Sequence, residues 1–125
     1  MSLIYIDNKN PQPIYEQLVY RIKTLIYCNA MKSGEKLPSI RQLAATLAIN
    51  PNTIQKAYDI LEKEGYIINC VGRGCFVTDN IDVIIEKRKD EIKENLTNLF
   101  ENAVKFGLLK NEIVALLDEI YSNNK

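Results

Sequence analysis

The sequence predicts a mainly α-helical chain with a small β-hairpin, divided into an N-terminal domain at residues 1–79 and a two-helix tail at residues 80–125. Three observations predict this. Apolar residues recur at helical spacing in successive segments, two β-rich runs flank a glycine-containing turn near residue 73, and Pro, Asn and Gly punctuate the segments. Apolar residues make up 46% of the chain and charged residues 26%, which is typical of a globular protein.

The first helix is predicted to begin after Pro11 and Pro13, because a missing N–H costs nothing in a first helical turn. It should end near Cys28, where Asn29 tolerates a left-handed closing conformation. A short extended piece is expected at residues 3–6 and a loop at 32–36. The apolar stripe of this helix consists of Ile14, Leu18, Ile22, Leu25 and Ile26.

A short second helix and a third helix follow with strong start signals. Ser39 and Gln42 read as a capping box, and Asn50 reads as a cap before Pro51. The third helix should run to about Glu64 and stop at Gly65. The residues predicted to face inward are Leu43, Ala44 and Leu47 in the second helix and Ile54, Ala57, Tyr58 and Leu61 in the third.

Residues 66–71 and 75–78 then predict two strands around the turn Gly72-Arg73-Gly74. Cys70 and Cys75 flank that turn and are expected to face one another. A redox switch therefore stays open beside the plainer reading of two reduced, apolar thiols. In the tail, apolar spacing predicts one long helix stopping near Gly107 and a last helix at residues 109–122.

This order of elements is that of a winged helix-turn-helix, which binds DNA. The short helix crosses the DNA backbone, and the next helix places its N-terminal residues against base edges in the major groove. Asn50, Asn52, Thr53 and Gln55 cluster at that position, where helix N–H groups also attract phosphate. Asn and Gln can pair with adenine. The alternative is an ordinary helix start. The acidic residues Asp59, Glu62 and Glu64 are expected at the other end, away from the groove.

The stretch GEKLPSIRQLAATLAINPNTIQKAYDILEKEGYI, followed by GRGCFV, resembles the DNA-binding domain of the GntR family of bacterial transcriptional regulators. The segments PIYEQLVYRI and INPNTIQKAY are most similar to the YtrA-like subgroup. The resemblance implies that Arg41 grips DNA from the short helix and that the wing tip lies along the minor groove. For Arg41 a solvated or ion-paired surface role stays open, and for Arg73 a ligand-free turn. The predicted DNA-binding residues are Arg41, Asn50, Pro51, Asn52, Thr53, Gln55, Lys56, Gly72, Arg73 and Gly74.

The tail is predicted to form a homodimer, since two amphipathic helices cannot bury both of their faces and a second copy can cover them. The resemblance agrees, because YtrA-like members carry only a short helical tail. Packing onto the winged domain is the alternative. The predicted contacts are Ile84, Ile85, Ile92, Leu96, Leu99, Phe100, Leu108, Leu109, Ile113, Leu116 and Leu117.

Composition argues against an enzyme. The chain has no histidine, the commonest general base and metal ligand, and its three cysteines match no metal or redox spacing. No cofactor or metal is therefore predicted. No apolar run approaches the roughly 18 residues of a membrane span, and the N-terminus lacks a signal pattern, so a cytoplasmic location is expected.

The predicted function is a dimeric, sequence-specific transcriptional regulator, most simply a repressor that binds a palindromic operator in double-stranded DNA. Resemblance to the YtrA-like subgroup implies a transporter operon as the target. The alternative is a winged-helix module that docks proteins and does not bind DNA. A small-molecule effector is compatible with the chain, but no residue set identifies one.

Overall fold

The computed structural model describes residues 3–124 and confirms the predicted fold class. Within that range it contains helices α1 (Ile14–Tyr27), α2 (Ile40–Leu47), α3 (Pro51–Lys63), α4 (Ile81–Lys105) and α5 (Lys110–Asn123), with strands β1 (Ile67–Cys70) and β2 (Gly74–Val77). The chain forms two compact units that divide inside α4, after Ile85. The predicted boundary at residue 79 instead separates a DNA-binding domain from a dimerisation tail, and these two roles stay predictions.

The core of the first unit lies between α1, α2, α3 and the base of the hairpin. All four residues predicted to face inward from α3 are buried, whereas Leu47 of α2 is only half-buried. The largest fully buried side chains are Leu18, Ile22, Leu43, Ile54, Leu61, Ile67 and Val77.

The predicted helix caps are confirmed. Ser39 Oγ accepts a hydrogen bond from the Gln42 N–H, and Gln42 Oε1 accepts one from the Ser39 N–H, each at 3.1 Å. Asn50 Oδ1 accepts from the Asn52 N–H at 2.8 Å. The turn between α2 and α3 holds one unpredicted feature, since Ala48 adopts a left-handed conformation with φ 56°. The caps and this turn together fix where α3 begins.

The hairpin differs from its prediction by one residue. Cys70 pairs with Gly74, so the turn is Val71-Gly72-Arg73 and Gly74 belongs to β2. The Arg73 N–H donates to the Cys70 carbonyl at 2.9 Å, and Gly72 has φ 77°, as in a type II turn. Cys75 pairs with Asn69. Because successive pairs alternate between the two faces of a sheet, Cys70 and Cys75 lie on opposite faces, and the prediction that they face one another is wrong.

The segment predicted as a loop at residues 32–36 contributes a third line of sheet hydrogen bonds. The Gly34 N–H donates to the Val77 carbonyl at 2.9 Å, and the Val77 N–H donates to the Glu35 carbonyl at 2.8 Å. The Leu37 N–H donates to the Cys75 carbonyl at 2.8 Å. The hairpin is therefore tied directly to the residues that lead into α2.

The N-terminal segment packs without forming the extended strand expected at residues 3–6. Ile4 is only 2% exposed and joins the core. The buried Gln17 side chain accepts from the Asp7 N–H at 2.9 Å and donates to the Gln12 carbonyl at 2.9 Å. These contacts hold the segment against α1.

In the second unit, the two helices have the predicted extents to within about one residue, and Gly107 separates them with φ 93°. Among the described residues from 86 onward none is buried, and Ala103 and Ile113 are half-buried. The two helices barely contact one another. Among the described residues, no helix has the length and hydropathy that crossing a membrane requires.

Candidate nucleic-acid interface

The predicted DNA-binding residues all reach the surface of the first unit. Thr53 and Gly74 are half-buried, and the others are exposed. A residue that reads DNA has to be accessible, so every predicted position meets this first requirement. Their DNA contacts stay a prediction.

The start of α3 offers side chains with different hydrogen-bonding capacity. Asn50 uses its side-chain oxygen for the cap, which leaves its NH₂ group to donate to a ligand. The Asn52 side chain makes no hydrogen bond to the rest of the described chain, so it retains a donor and an acceptor. That combination is what bidentate recognition of adenine requires, and Asn52 is therefore the stronger candidate for reading a base.

An open cavity of about 450 Å³, which we call the wing concavity, lies between the entry to α2, the outer face of α3 and the hairpin. It brings together some of the predicted residues, namely Gln55 of α3 and the turn residues Gly72, Arg73 and Gly74. It is also lined by residues 36–40, 69–70 and 75, by Ile67, and by Tyr58, Asp59 and Glu62. Arg41, Lys56 and the first turn of α3 do not line it.

Asp59 and Glu62 lie in the C-terminal half of α3 and Glu64 follows its end, as predicted, and their distance from DNA stays a prediction. Asp59 and Glu62 line the wing concavity, and only Glu64 lies apart, paired with Lys23 at 2.8 Å. Asp59 accepts a hydrogen bond from Gln55 Nε2 at 2.8 Å, which fixes the Gln55 amide and leaves its carbonyl oxygen to accept. Because carboxylates repel phosphate, DNA is expected at the N-terminal turn of α3 and at the hairpin rather than along the middle of α3.

The cations differ in how strongly the protein itself engages them. The guanidinium groups of Arg41 and Arg73 have no hydrogen bond or ion pair within the described residues, so nothing there supports the ion-paired alternative for Arg41. Lys56 Nζ instead lies 3.9 Å from the centroid of the Tyr15 ring, a cation–π contact. That contact directs Lys56 towards α1 and weakens it as a DNA-binding candidate.

Tyr58 holds α3 against the entry to α2. Its hydroxyl donates to the Pro38 carbonyl at 2.7 Å, and its ring is buried. Burial raises the pKa of Tyr58 far above its ordinary value of 10.0, and the neighbouring Cys75 thiol adds to the increase. Sequence reasoning placed Tyr58 in the core, but nothing in the spacing identified its hydroxyl as the link between the two helices.

The cysteine thiols do not form a ready redox pair. All three are free, and Cys28 is exposed. Burial raises the pKa of Cys75, and the nearby Glu62, Cys70 and Asp59 raise it further. A raised pKa keeps this thiol protonated and slow to react, which argues against the switch reading.

The predicted dimer residues fall into two groups. Ile84 and Ile85 are half-buried in the first unit, and Ile84 packs against its core, as the packing alternative describes. Ile113 is half-buried in the second unit, and the remaining predicted residues are exposed. The same helices expose further apolar residues that the prediction left out, although their helical spacing would have identified several: Val104, Phe106, Val114, Ile120 and Tyr121.

Comparison with known proteins places these features in a family context. The sequence profile described as bacterial regulatory proteins, gntR family, matches residues 14–77. The HTH-type transcriptional repressor YtrA of Bacillus subtilis (strain 168) is 38% identical over 124 residues, covering 98% of this chain and 95% of the relative.

Two solved structures are also similar. A GntR family transcriptional regulator from Listeria monocytogenes is 36% identical with a TM-score of 0.72, covering 91% of this chain and 98% of that chain. The DNA-binding domain of AraR, solved in complex with an operator, is 25% identical with a TM-score of 0.52, covering 58% of this chain and 89% of that chain.

Proposed function

This chain belongs to the GntR family of bacterial regulatory proteins, and we propose that it is a homodimeric transcriptional repressor that binds a palindromic operator in double-stranded DNA. Members of this family are regulators rather than enzymes. The relative named as the repressor YtrA matches through both units of the chain, tail included. Because the match includes the tail, repression of transcription is the simplest function for this protein.

One observation carries the DNA-binding proposal: the outer face of α3 and the hairpin turn open onto one cavity. Gln55 and Arg73 line the wing concavity, and Asn52 lies less than one helical turn before Gln55 on the exposed surface of α3. In a winged helix, α3 enters the major groove while the turn reaches the neighbouring backbone or minor groove. Base readout would come from Asn52 and Gln55, and phosphate binding from Arg41 and Arg73.

The tail supports the homodimer, because its apolar side chains lack cover within one chain. Along α4, apolar residues form one stripe at steps of four and three residues from Ile92 through Leu96 and Leu99 to Ala103. Ile85 extends the stripe seven residues earlier, and Phe106 follows directly after the helix ends. Leu99 is 64% exposed and Phe106 is 91% exposed. Full burial of one such side chain contributes roughly 1.5–3 kcal/mol, so a second copy gains considerably by covering the stripe.

Dimerisation also answers a weakness of the single DNA-binding unit. Residues 1–79 carry nine Lys and Arg residues against seven Asp and Glu residues, so one unit offers little net positive charge and its affinity would be low at physiological salt. Two linked units make the second contact intramolecular and raise the overall affinity by orders of magnitude. Two-fold symmetry in the protein then requires inverted half-sites in the operator.

The proposed cellular location of the protein follows from its DNA partner, and its proposed target operon follows from the resemblance to the YtrA-like subgroup. A bacterial regulator that binds promoter DNA acts in the cytoplasm, and we place its operator at a membrane-transporter operon. Sequencing the DNA that co-purifies with the protein from cross-linked cells would test this placement. Recovery of promoters that precede no transporter gene would refute the target while leaving the DNA-binding proposal intact.

The direct test is selection of bound sequences from a pool of random duplex DNA, using the full-length protein. We expect enrichment of two inverted half-sites whose centres are separated by about one helical turn, or a multiple of it. A single unsymmetrical site would refute the palindrome. Absence of binding to any duplex at low salt would refute the function and favour a protein-docking module.

A variant test addresses base reading. Asn52→Asp removes the NH₂ donor while suiting the helix N-terminus, where negative charge is stabilising, so the fold is retained. We expect operator binding to weaken by about 1–3 kcal/mol or more, measured by fluorescence anisotropy. Asn95→Asp, the same change on the exposed surface of the tail, is the matched control. Equal affinities for both variants would exclude Asn52 from base recognition.

A further inference from the structure

We propose that Lys36 supplies a contact to the DNA phosphate backbone at the wing concavity, and that Gly74 gives its side chain the space to lie there. This inference rests on the proposed DNA-binding function. It adds a residue that motif reasoning left in a connecting loop, and it assigns to Gly74 a positioning role in place of a direct DNA contact.

The backbone at Lys36 is held in place although it lies outside the named strands. Lys36 forms an isolated antiparallel bridge with Phe76 of β2. The next residue, Leu37, donates its N–H to the Cys75 carbonyl at 2.8 Å. The base of the Lys36 side chain is thus positioned by the sheet itself, which reduces the entropy lost when its ammonium group engages a ligand.

The Lys36 side chain passes directly over Gly74. A Cβ atom at position 74 would lie 2.9 Å from Lys36 Cε and 3.7 Å from Lys36 Nζ. The first distance is closer than carbon atoms approach one another without contact strain. Gly74 also has φ 115°, a conformation that other residues rarely adopt. Any other residue at position 74 would displace the lysine as well as strain the strand.

The charge of Lys36 is available to a ligand. The residue is exposed and lines the wing concavity together with Arg73. Its ammonium group has no hydrogen bond or ion pair with the described residues, although Asp59 and Glu62 line the same cavity. Lys36 and Arg73 come from the sheet side of the cavity and the two carboxylates come from α3. A phosphate diester would therefore meet the cations at the sheet side, where lysine acts as a mobile point charge.

Lys36→Gln tests the contact, and Lys32→Gln is the matched control. Lys32 lies in the same segment, is also exposed, and does not line the wing concavity. The dissociation constant of the full-length protein is measured over a series of salt concentrations, for the selected operator and for an unrelated duplex.

For a dimer that loses one phosphate contact per protomer, we expect the slope of log affinity against log salt to become shallower by about 1.8. The same relation gives a loss of affinity of roughly thirtyfold near physiological salt. Both duplexes should weaken by a similar factor, because phosphates carry no sequence information. Lys32→Gln should leave the slope unchanged.

The outcomes separate this inference from the function on which it rests. If the wild type binds its operator with a steep salt dependence and Lys36→Gln matches Lys32→Gln throughout, the Lys36 contact is refuted and the function stands. If the wild type binds no duplex, both proposals fail. Thermal unfolding of each variant verifies that the fold is retained.

A double-mutant cycle tests the role of Gly74. Gly74→Ala strains the backbone whatever residue stands at position 36, so that cost appears in both backgrounds. If Gly74 acts by leaving space for the lysine, Gly74→Ala should weaken DNA binding more in the wild type than in Lys36→Gln. Equal losses in the two backgrounds would refute the positioning role.

Discussion

The two units of this chain use similar helical patterns but differ in what becomes of their apolar residues. In the first unit, residues such as Leu18, Ile54 and Leu61 are completely buried. Its buried polar side chains also find partners, and no buried side-chain nitrogen or oxygen of the described residues lacks a hydrogen bond. In the second unit, Leu99 and Leu116 remain more than half exposed.

The difference shows that helical periodicity predicts helices but not a core. Three helices of the first unit enclose a volume because they cross one another and a sheet closes one side. Two helices that barely contact each other enclose nothing. The first unit therefore has the means to be stable alone, and we expect the ordered state of the tail to depend on its partner.

The largest expected effect separates the two units by stability. Leu61→Ala removes a fully buried side chain from the first unit, and the free energy of unfolding should fall by about 2–5 kcal/mol. Leu99→Ala makes the same change on the exposed tail and should alter only the concentration-dependent part of stability. Urea denaturation followed by circular dichroism at several protein concentrations measures both. If both variants lost the same free energy of unfolding at every protein concentration, the two units would not differ in how they are stabilised.

The next effect concerns association. Leu96→Glu places a charge in the apolar stripe of α4, where Leu96 is 41% exposed in the single chain. We expect a monomer in analytical ultracentrifugation and a loss of operator affinity of about a hundredfold or more, with the melting transition of the first unit retained. Asn98→Glu, on the opposite side of the same helix, is the control. A monomer that binds its operator as tightly as the wild type would contradict the need for a dimer.

A smaller effect sharpens the description of the first unit. Tyr58→Phe removes the hydrogen bond to Pro38, and should lower the free energy of unfolding by about 1 kcal/mol at neutral pH. Because the pKa of Tyr58 is raised above 10.0 in the folded chain, the unfolded chain ionises first as pH increases. The wild type should therefore be fully stable below that value and lose stability above it.

Tyr58→Phe removes this titration, so the variant should show a weaker alkaline decline in urea titrations at increasing pH. Tyr121→Phe, a change at an exposed position of the tail, is the control. Identical alkaline profiles for the wild type and Tyr58→Phe would show that the Tyr58 hydroxyl does not limit stability there.

Much of this fold could be predicted because its signals are local. The capping box of Ser39 and Gln42 and the Asn50 cap depend on residues at most three positions apart, and all are present. The pairing of residues 34–37 with β2 could not be read from the chain, since it joins segments about forty residues apart through backbone atoms that any sequence carries.

In the candidate site, too, the features that depend on local sequence could be predicted. Exposure of Asn52 and Arg73 could be anticipated from a helix start and a turn, which lie at the surface. The position of Asp59 was missed although helical spacing would have revealed it, because Gln55, Asp59 and Glu62 share one face of α3 at i, i+4 and i+7. Lys36 was missed for a different reason, since its neighbour Gly74 lies across a sheet rather than along the chain.

The N-terminal segment, which is held against α1, has a practical consequence for work on an isolated DNA-binding fragment. The family profile starts at residue 14, yet the core includes Ile4, and the Gln17 amide is satisfied by Asp7 and Gln12. A fragment cut at the profile boundary would expose the apolar core surface that Ile4 covers and remove the hydrogen-bond partners of the Gln17 side chain. Fragments intended for crystallisation or spectroscopy should therefore begin upstream of Ile4.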